Sequence, residues 1–243
     1  MSALTPCLVP TPKMVTRGEG TFALNGRTAI VLLPTAPGAA ASDVDQQAAR
    51  ALQREIEENA GLRLPVLRMA RPAGRDNIIL LVSDPEAAAR FLGEALDWRE
   101  LAGHGDEAHV VHITPQRVVA GGFGSAALHL AAQTLRQVAR VEGIAWPALR
   151  VVDWPSLRYR GLMLDVSRGK VPTMETLKQI VDVLSLYKGN VLQLYTEHTF
   201  QFPHHPRIGE GCGSLSGDDI LELDAYARPR HVELMPNLQS FGH

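Results

Sequence analysis

Two kinds of hydrophobic pattern alternate along the first part of the chain. TAIVLL at 28–33 and NIILLV at 77–82 are short β-branched and aliphatic runs that predict buried strands, the first of them preceded by the turn pair Asn25-Gly26. From Ser42 the period changes, and Val44, Ala48, Ala51, Leu52 and Ile56 fall on one helical face, with Ser42 placed to cap the helix and Gly61 to end it. HVVHIT (109–114) and RVVAGG (117–122), separated by Pro115-Gln116, predict a hairpin. A second amphipathic helix follows from about Gly124 to Arg140, with Leu128, Ala131, Leu135 and Val138 inward and Gly143 closing it. Such a mixture of strands and helices buries a modest core of its own.

The stretch WPALRVVDWPSLRYR (146–160) carries two Trp-Pro pairs and reads as a boundary, which places one unit over 1–150 and another over 151–243. Beyond it the grammar is strand–helix–strand. RGLMLDV (160–166) predicts a strand. Thr173 caps a helix with Leu177, Ile180, Val181 and Leu184 on one face, ended by Gly189-Asn190. VLQLYT (191–196) predicts the next strand; Ser216 with Asp219 opens a helix carrying Ile220, Leu223 and Ala227, and VELMPNL (232–238) predicts a third strand. Aliphatic strands alternating with amphipathic helices imply an α/β fold with a parallel sheet. Each strand ends on a polar cluster: Ser167-Arg168, Glu197-His198-Thr199, and Ser240 to His243. Ligands of parallel α/β folds bind at the carboxyl ends of the strands, so these clusters are the candidate site.

Composition narrows the function classes. Lys+Arg number 24 and Asp+Glu 26, a net charge of -2, with no basic excess to attract nucleic acid. No apolar run reaches the ~18–20 residues of a bilayer span, and the start has no secretory pattern, so no membrane partner and a cytoplasmic location are expected. Cys7 and Cys212 match no zinc or redox spacing. GGFG (121–124) lacks the Lys-Ser/Thr of a phosphate loop and reads as a tight turn that lets a helix pack closely. His104, His109, His112 and His129 are scattered without an HExxH, and His204-His205 with Cys212 reads as a solvated loop, so neither a metal nor a cofactor is expected. Taken alone, Asp165 and Glu197 offer a carboxylate pair for general acid/base work, although Asp165, inside a strand, is the more ordinary hydrogen-bonded carboxylate.

At this point the residues resemble a known family. SLRYRGLMLDVSRGKVPTMETLKQIVDVLSLYKGNVLQLY is similar to the opening of the catalytic barrel of glycoside hydrolase family 20, the β-N-acetylhexosaminidases. LYTEHTF and LDAYARPRHVELMPNLQSFGH are similar to a bacterial branch of that family, and GGFGSAALHLAAQTLRQV resembles the end of the zincin-like domain that precedes its barrel. The resemblance implies a zincin-like α+β domain over 1–150, then the first three βα units of a TIM-type (β/α)8 barrel over 151–243. It also implies removal of terminal N-acetylglucosamine or N-acetylgalactosamine with retention. The substrate's own acetamido oxygen attacks the anomeric carbon while an adjacent Asp-Glu pair orients it and protonates the leaving oxygen.

The same resemblance implies that Arg168 grips sugar hydroxyls, a task suited to a guanidinium's fixed donors, and that His243 supports the site. His198 stands where the family usually has Asp, with Glu197 just before it, and both are expected to line the site. The acid pair belongs to a fourth strand, expected beyond His243, so no catalytic residue is assigned and the chain alone is expected to be inactive. An N-acetylhexosamine-terminated glycan is the expected partner, and an open barrel edge offers a route to pairing with another chain. Two other readings stay open: a non-catalytic carbohydrate- or partner-binding module, and a truncated remnant without a function of its own.

Overall fold

In the computed structural model, which describes residues 7–33, 42–68, 76–93 and 97–241, the chain divides into two units, Met1–Ser156 and Leu157–His243. The first is built on β1 (Met14–Ala23), β2 (Ala29–Leu32), β3 (Val66–Arg68), β4 (Ile78–Val82), β5 (His109–Ile113), β6 (Arg117–Gly122) and β7 (Ala145–Asp153). They form one sheet in the order β1-β7-β5-β6-β4-β2-β3. Strands β6, β4, β2 and β3 run parallel, while β5 pairs antiparallel with both β6 and β7, and β1 antiparallel with β7.

Period-two alternation sends the two sides of each strand into different cores. Ile30, Leu32, Ile79, Leu81, Val111 and Val151 pack with helices α1 (Asp43–Ala60) and α3 (Ser125–Glu142). Val31, Leu80, Val82, Val110, Val119 and Val152 pack on the other face with α2 (Pro85–Leu92), Trp98 and Leu101. Ser42 caps α1 by accepting from the Asp45 N–H, and Gly61 ends it in the left-handed region.

The stretch read as a boundary is in its first half a strand. Trp146 is fully buried against Phe22, its indole N–H donating to the Gly143 carbonyl at 2.9 Å, and β7 continues to Asp153. Pro147 is tolerated there because it faces Thr21, beside the irregularity in β1 between Arg17 and Thr21 where the ladder is already interrupted. The division accordingly falls after Ser156 rather than at 150. Gly121 and Gly122 also lie in a strand, β6, rather than in a turn. A Cβ on Gly121 would stand 1.8 Å from the Val82 carbonyl oxygen of β4, and one on Gly122 2.8 Å from the Ala127 methyl of α3, so bare backbone at the first lets β4 come close and at the second lets α3 close onto the sheet.

The second unit holds β8 (Gly161–Asp165), β9 (Val191–Tyr195) and β10 (Glu233–Met235) in a parallel sheet ordered β10-β9-β8. Helix α4 (Met174–Leu186) links β8 to β9, and α5 (Gly217–Ala227) links β9 to β10. Thr173 caps α4, and Ser216 with Asp219 forms a reciprocal capping box on α5. Leu177, Val181, Leu192, Leu194, Leu223 and Ala227 close the core between sheet and helices. The third strand is shorter than the sequence suggests: Pro236 has no N–H for the ladder, and pairing resumes only as a single bridge from Leu238 to Thr196.

Candidate functional site

Register builds the site. Parallel pairing sets Leu162 beside Leu192 and Met163 beside Gln193, and continues to Asp165 beside Tyr195 at the carboxyl end. Leu164, Leu192 and Leu194 point into the helix-covered core, so Met163, Asp165, Gln193 and Tyr195 take the opposite face of the sheet. The next residues along the chain, Ser167-Arg168 and Glu197, extend that face past the strand ends.

There a guanidinium joins two carboxylates. Arg168 donates through Nη1 to Asp165 Oδ2, and through Nη2 to Glu197 Oε1 at 3.0 Å and to the Tyr195 hydroxyl at 3.4 Å. Its Cζ lies 4.9 Å from the centre of the Tyr195 ring. The Tyr195 hydroxyl in turn donates to Glu197 Oε1 at 3.0 Å. Beneath this layer the Ser167 N–H donates to Asp165 Oδ1 at 2.9 Å, and the Glu197 N–H donates to Ser167 Oγ at 2.8 Å. Ser167 Oγ lies 3.0 Å from Thr199 Oγ1, and both residues are buried. The two strand-end loops are therefore stitched to one another, which fixes where Arg168 and Glu197 stand.

Electrostatics follow the same contacts. The Ser167 N–H and then Arg168 hold the Asp165 carboxyl below the usual carboxylate range. Tyr195 and Asp165 raise Arg168 above its ordinary value. These bonds use only part of the guanidinium's five N–H groups, and Arg168 keeps 56% of its side-chain surface exposed, so donors remain for a ligand's hydroxyls. The Asp165 side chain is 35% exposed, more open than an interior strand carboxylate.

Arg168 and Glu197 are thus brought together, joined by Asp165 and by Tyr195. Tyr195 was not singled out from the sequence, because only the strand register sets it against Asp165. His198 is exposed and makes none of the bonds that join Arg168, Asp165, Tyr195 and Glu197. His243 lies outside the described residues; the segment before it is held by the Gln239 N–H, which donates to the Thr196 carbonyl at 2.9 Å. In the loop after β9, His204, His205 and Cys212 are exposed, and no group of three His, Cys, Asp or Glu is gathered for a metal among the described residues. A groove of about 620 Å³ opens within that loop, lined by Phe202, Ile208, Glu210 and Ser214 and not by Arg168.

Comparison with known proteins bears on both units. Residues 5–154 match the model for glycosyl hydrolase family 20, domain 2, and residues 157–243 match the model for the glycosyl hydrolase family 20 catalytic domain. A beta-N-acetylhexosaminidase of Cellulomonas fimi is 31% identical over 156 residues, spanning 57% of this chain and 31% of the relative. A beta-hexosaminidase of Porphyromonas gingivalis is 23% identical over 263 residues, spanning 97% of this chain and 30% of the relative. Among solved structures, the Streptomyces plicatus N-acetyl-beta-hexosaminidase in complex with Thio-NAglucal aligns with a TM-score of 0.71 at 22% identity, over 94% of this chain and 45% of that one. That likeness is one of fold. The chain spans about a third of the length of the two curated relatives. With one family model over each unit, the chain belongs to glycosyl hydrolase family 20.

Proposed function

We propose that this chain is the amino-terminal part of a β-N-acetylhexosaminidase: a zincin-like domain in the first unit, then the first three βα units of a (β/α)8 catalytic domain in the second. The whole enzyme removes terminal N-acetylglucosamine or N-acetylgalactosamine by substrate-assisted, retaining hydrolysis. The observation that carries the reading is the Asp165–Arg168–Tyr195–Glu197 array at two adjacent carboxyl strand ends, with guanidinium donors to spare. In it Arg168 binds sugar hydroxyls. Asp165 and Glu197 hold the guanidinium in place from both sides, and His198 and His243 are the further residues assigned to line the site.

The protein's share of the bond cleavage rests with an adjacent Asp-Glu pair at a strand end. Within these 243 residues the Asp-Glu sequence occurs at Asp106-Glu107, in the turn ahead of β5 and in the other unit. The purified chain is therefore expected to bind N-acetylglucosamine without hydrolysing an aryl N-acetylglucosaminide. Arg168→Ala should weaken binding by roughly tenfold or more, the scale of a lost charge-assisted contact. Calorimetric titration alongside a chromogenic assay reads both. Measurable turnover would overturn the assignment of the acid pair, and binding indifferent to Arg168→Ala would overturn the site.

A further inference from the structure

The first unit carries a cavity that the strand-end site does not use. It measures about 300 Å³ and opens on the sheet face that α2 leaves uncovered, over β5, β6 and β7. Register sets its floor. His112 pairs with Val119 on one side and Arg150 on the other, one cross-strand row, with Val110 two residues further on the same face. The turn that follows residue 96 supplies the wall through Asp97, Trp98 and Glu100. Arg150 clamps wall to floor: its Nε and Nη2 donate to Glu100 Oε2 at 3.1 and 2.5 Å, and Nη2 also donates to the Asp97 carbonyl at 3.0 Å.

The lining has a definite chemistry. Both carboxylates already face a guanidinium, Asp97 that of Arg99 at 2.8 Å and Glu100 that of Arg150, so no net charge is left to select an ion. Neither ring nitrogen of His112 is hydrogen-bonded among the described residues. Burial, with the charges of Arg150 and Arg117, holds that imidazole below its ordinary pKa, so at neutral pH it offers one donor and one acceptor. Trp98 is 9% exposed, and its indole N–H is shielded from solvent without an acceptor among the described residues, an unusual position for a group that normally finds one. Val110 and Val119 add an apolar floor. A volume of about 300 Å³ sits at the lower end of small-molecule sites, which run from roughly 300 to 1,000 Å³.

We propose that this cavity is a second carbohydrate site, one that takes a single neutral sugar ring. A pyranose has two apolar C–H faces and a rim of hydroxyls, which match an apolar floor and walls of paired donors and acceptors. Val110 and Val119 are buried beneath the 97–101 turn, so a small outward shift of that turn uncovers them for the ring, brings its hydroxyls to His112 and Glu100, and gives the Trp98 N–H its acceptor. The site does not depend on Arg168 or on hydrolysis. It would let the first unit hold one residue of a glycan apart from the strand-end site.

Indole N–H resonances of the full chain test this. Trp98 is assigned by its disappearance in Trp98→Phe, and the protein is titrated with N-acetylglucosamine, with a chito-oligosaccharide and with inorganic sulfate. The expected result is a saturable shift of the Trp98 signal with the sugars, unchanged in Arg168→Ala and lost in His112→Trp, where the larger ring fills the cavity. His112→Ala, which removes the imidazole without filling the space, is expected to move the midpoint to higher sugar concentration. Saturation by the free sugar marks a site for single residues; saturation by the oligosaccharide alone marks a site for a chain end. The proposal fails if no sugar moves the signal, if sulfate alone does, or if the shift survives both His112 variants. A shift abolished by Arg168→Ala also overturns it, because the sugar then acts through the strand-end site.

Discussion

Glu55 sits on α1 with 2% of its side chain exposed, between two guanidinium groups of α3. Arg136 donates through Nε to Glu55 Oε2 at 3.0 Å, Arg140 through Nη2 to the same oxygen at 3.1 Å, and Asn59 Nδ2 to Oε1 at 2.9 Å. Burial alone would raise this carboxyl, but the Arg140 hydrogen bond and the two positive charges outweigh it, and the net shift is downward from 4.5. A lowered folded pKa gives stability that is complete above about pH 4.5 and fades as the pH falls through the folded value. Glu55→Gln keeps the shape but leaves two guanidinium groups facing a neutral amide. It should cost about 2–3 kcal/mol, below the value for a wholly buried pair because Arg140 reaches solvent. Thermal melts through the acid range should show the variant already destabilised at neutral pH and losing less on acidification; parallel curves would rule the ion pair out as the source. None of this was legible from the sequence, because Glu55 meets Arg136 and Arg140 only when α1 and α3 pack. Arg168 and Glu197 were named from their place just past two aliphatic runs, where a parallel strand must end. Asp165 was visible but read as an interior group, and Tyr195 depended on a register that no local pattern encodes.

At the scale of elements, Ser216 and Asp219 show where sequence reading works. The Ser216 hydroxyl accepts from the Asp219 N–H at 3.1 Å, and the Asp219 carboxylate accepts from the Ser216 N–H at 2.8 Å, a motif written in two residues three positions apart. Ser216→Ala removes the cap and should cost about 1 kcal/mol, read as a lower denaturation midpoint; an unchanged midpoint would mean that α5 is held by its core contacts alone. The helices opened by Ser42, Thr173 and Ser216 were legible for this reason. Helix α2 was missed although its signals are also local: Asp84 accepts from the Glu86 and Ala87 N–H groups, Pro85 opens the helix and Gly93 ends it. Its eight residues give too few turns for a hydrophobic period to stand out. Strand β1 was missed for a different reason. It pairs with β7 alone and buries only Phe22, so it shows charges and glycines where a central strand would show an alternating apolar face. Strand β7 was hidden by Pro147, which usually argues against a strand and is tolerated here beside an interrupted ladder.

Taken as a whole, the molecule has cores that never share residues across the division. The two layers around the seven-stranded sheet are built from residues between Leu8 and Trp154, and the third core from residues between Leu164 and Leu234. Cutting after Ser156 therefore removes no side chain from either layer of the first unit, and both β1 and β7 stay paired. Residues 1–156 alone should fold and melt in one cooperative transition, because a sheet covered by helices on both faces has no large apolar surface left to bury. The second unit stands differently. Its three strands carry helices over one face, while Met163, 58% exposed, lies on the other. Three short parallel strands with one covered face give a small core, near the limit at which burial offsets chain entropy. Calorimetry of the full chain should then show a sharp transition that Glu55→Gln lowers and a weaker one that Ser216→Ala lowers, each variant leaving the other transition in place. The same sharp transition should reappear in residues 1–156. A truncated segment that aggregates or melts without cooperativity would mean that the first unit's core draws on residues beyond Ser156.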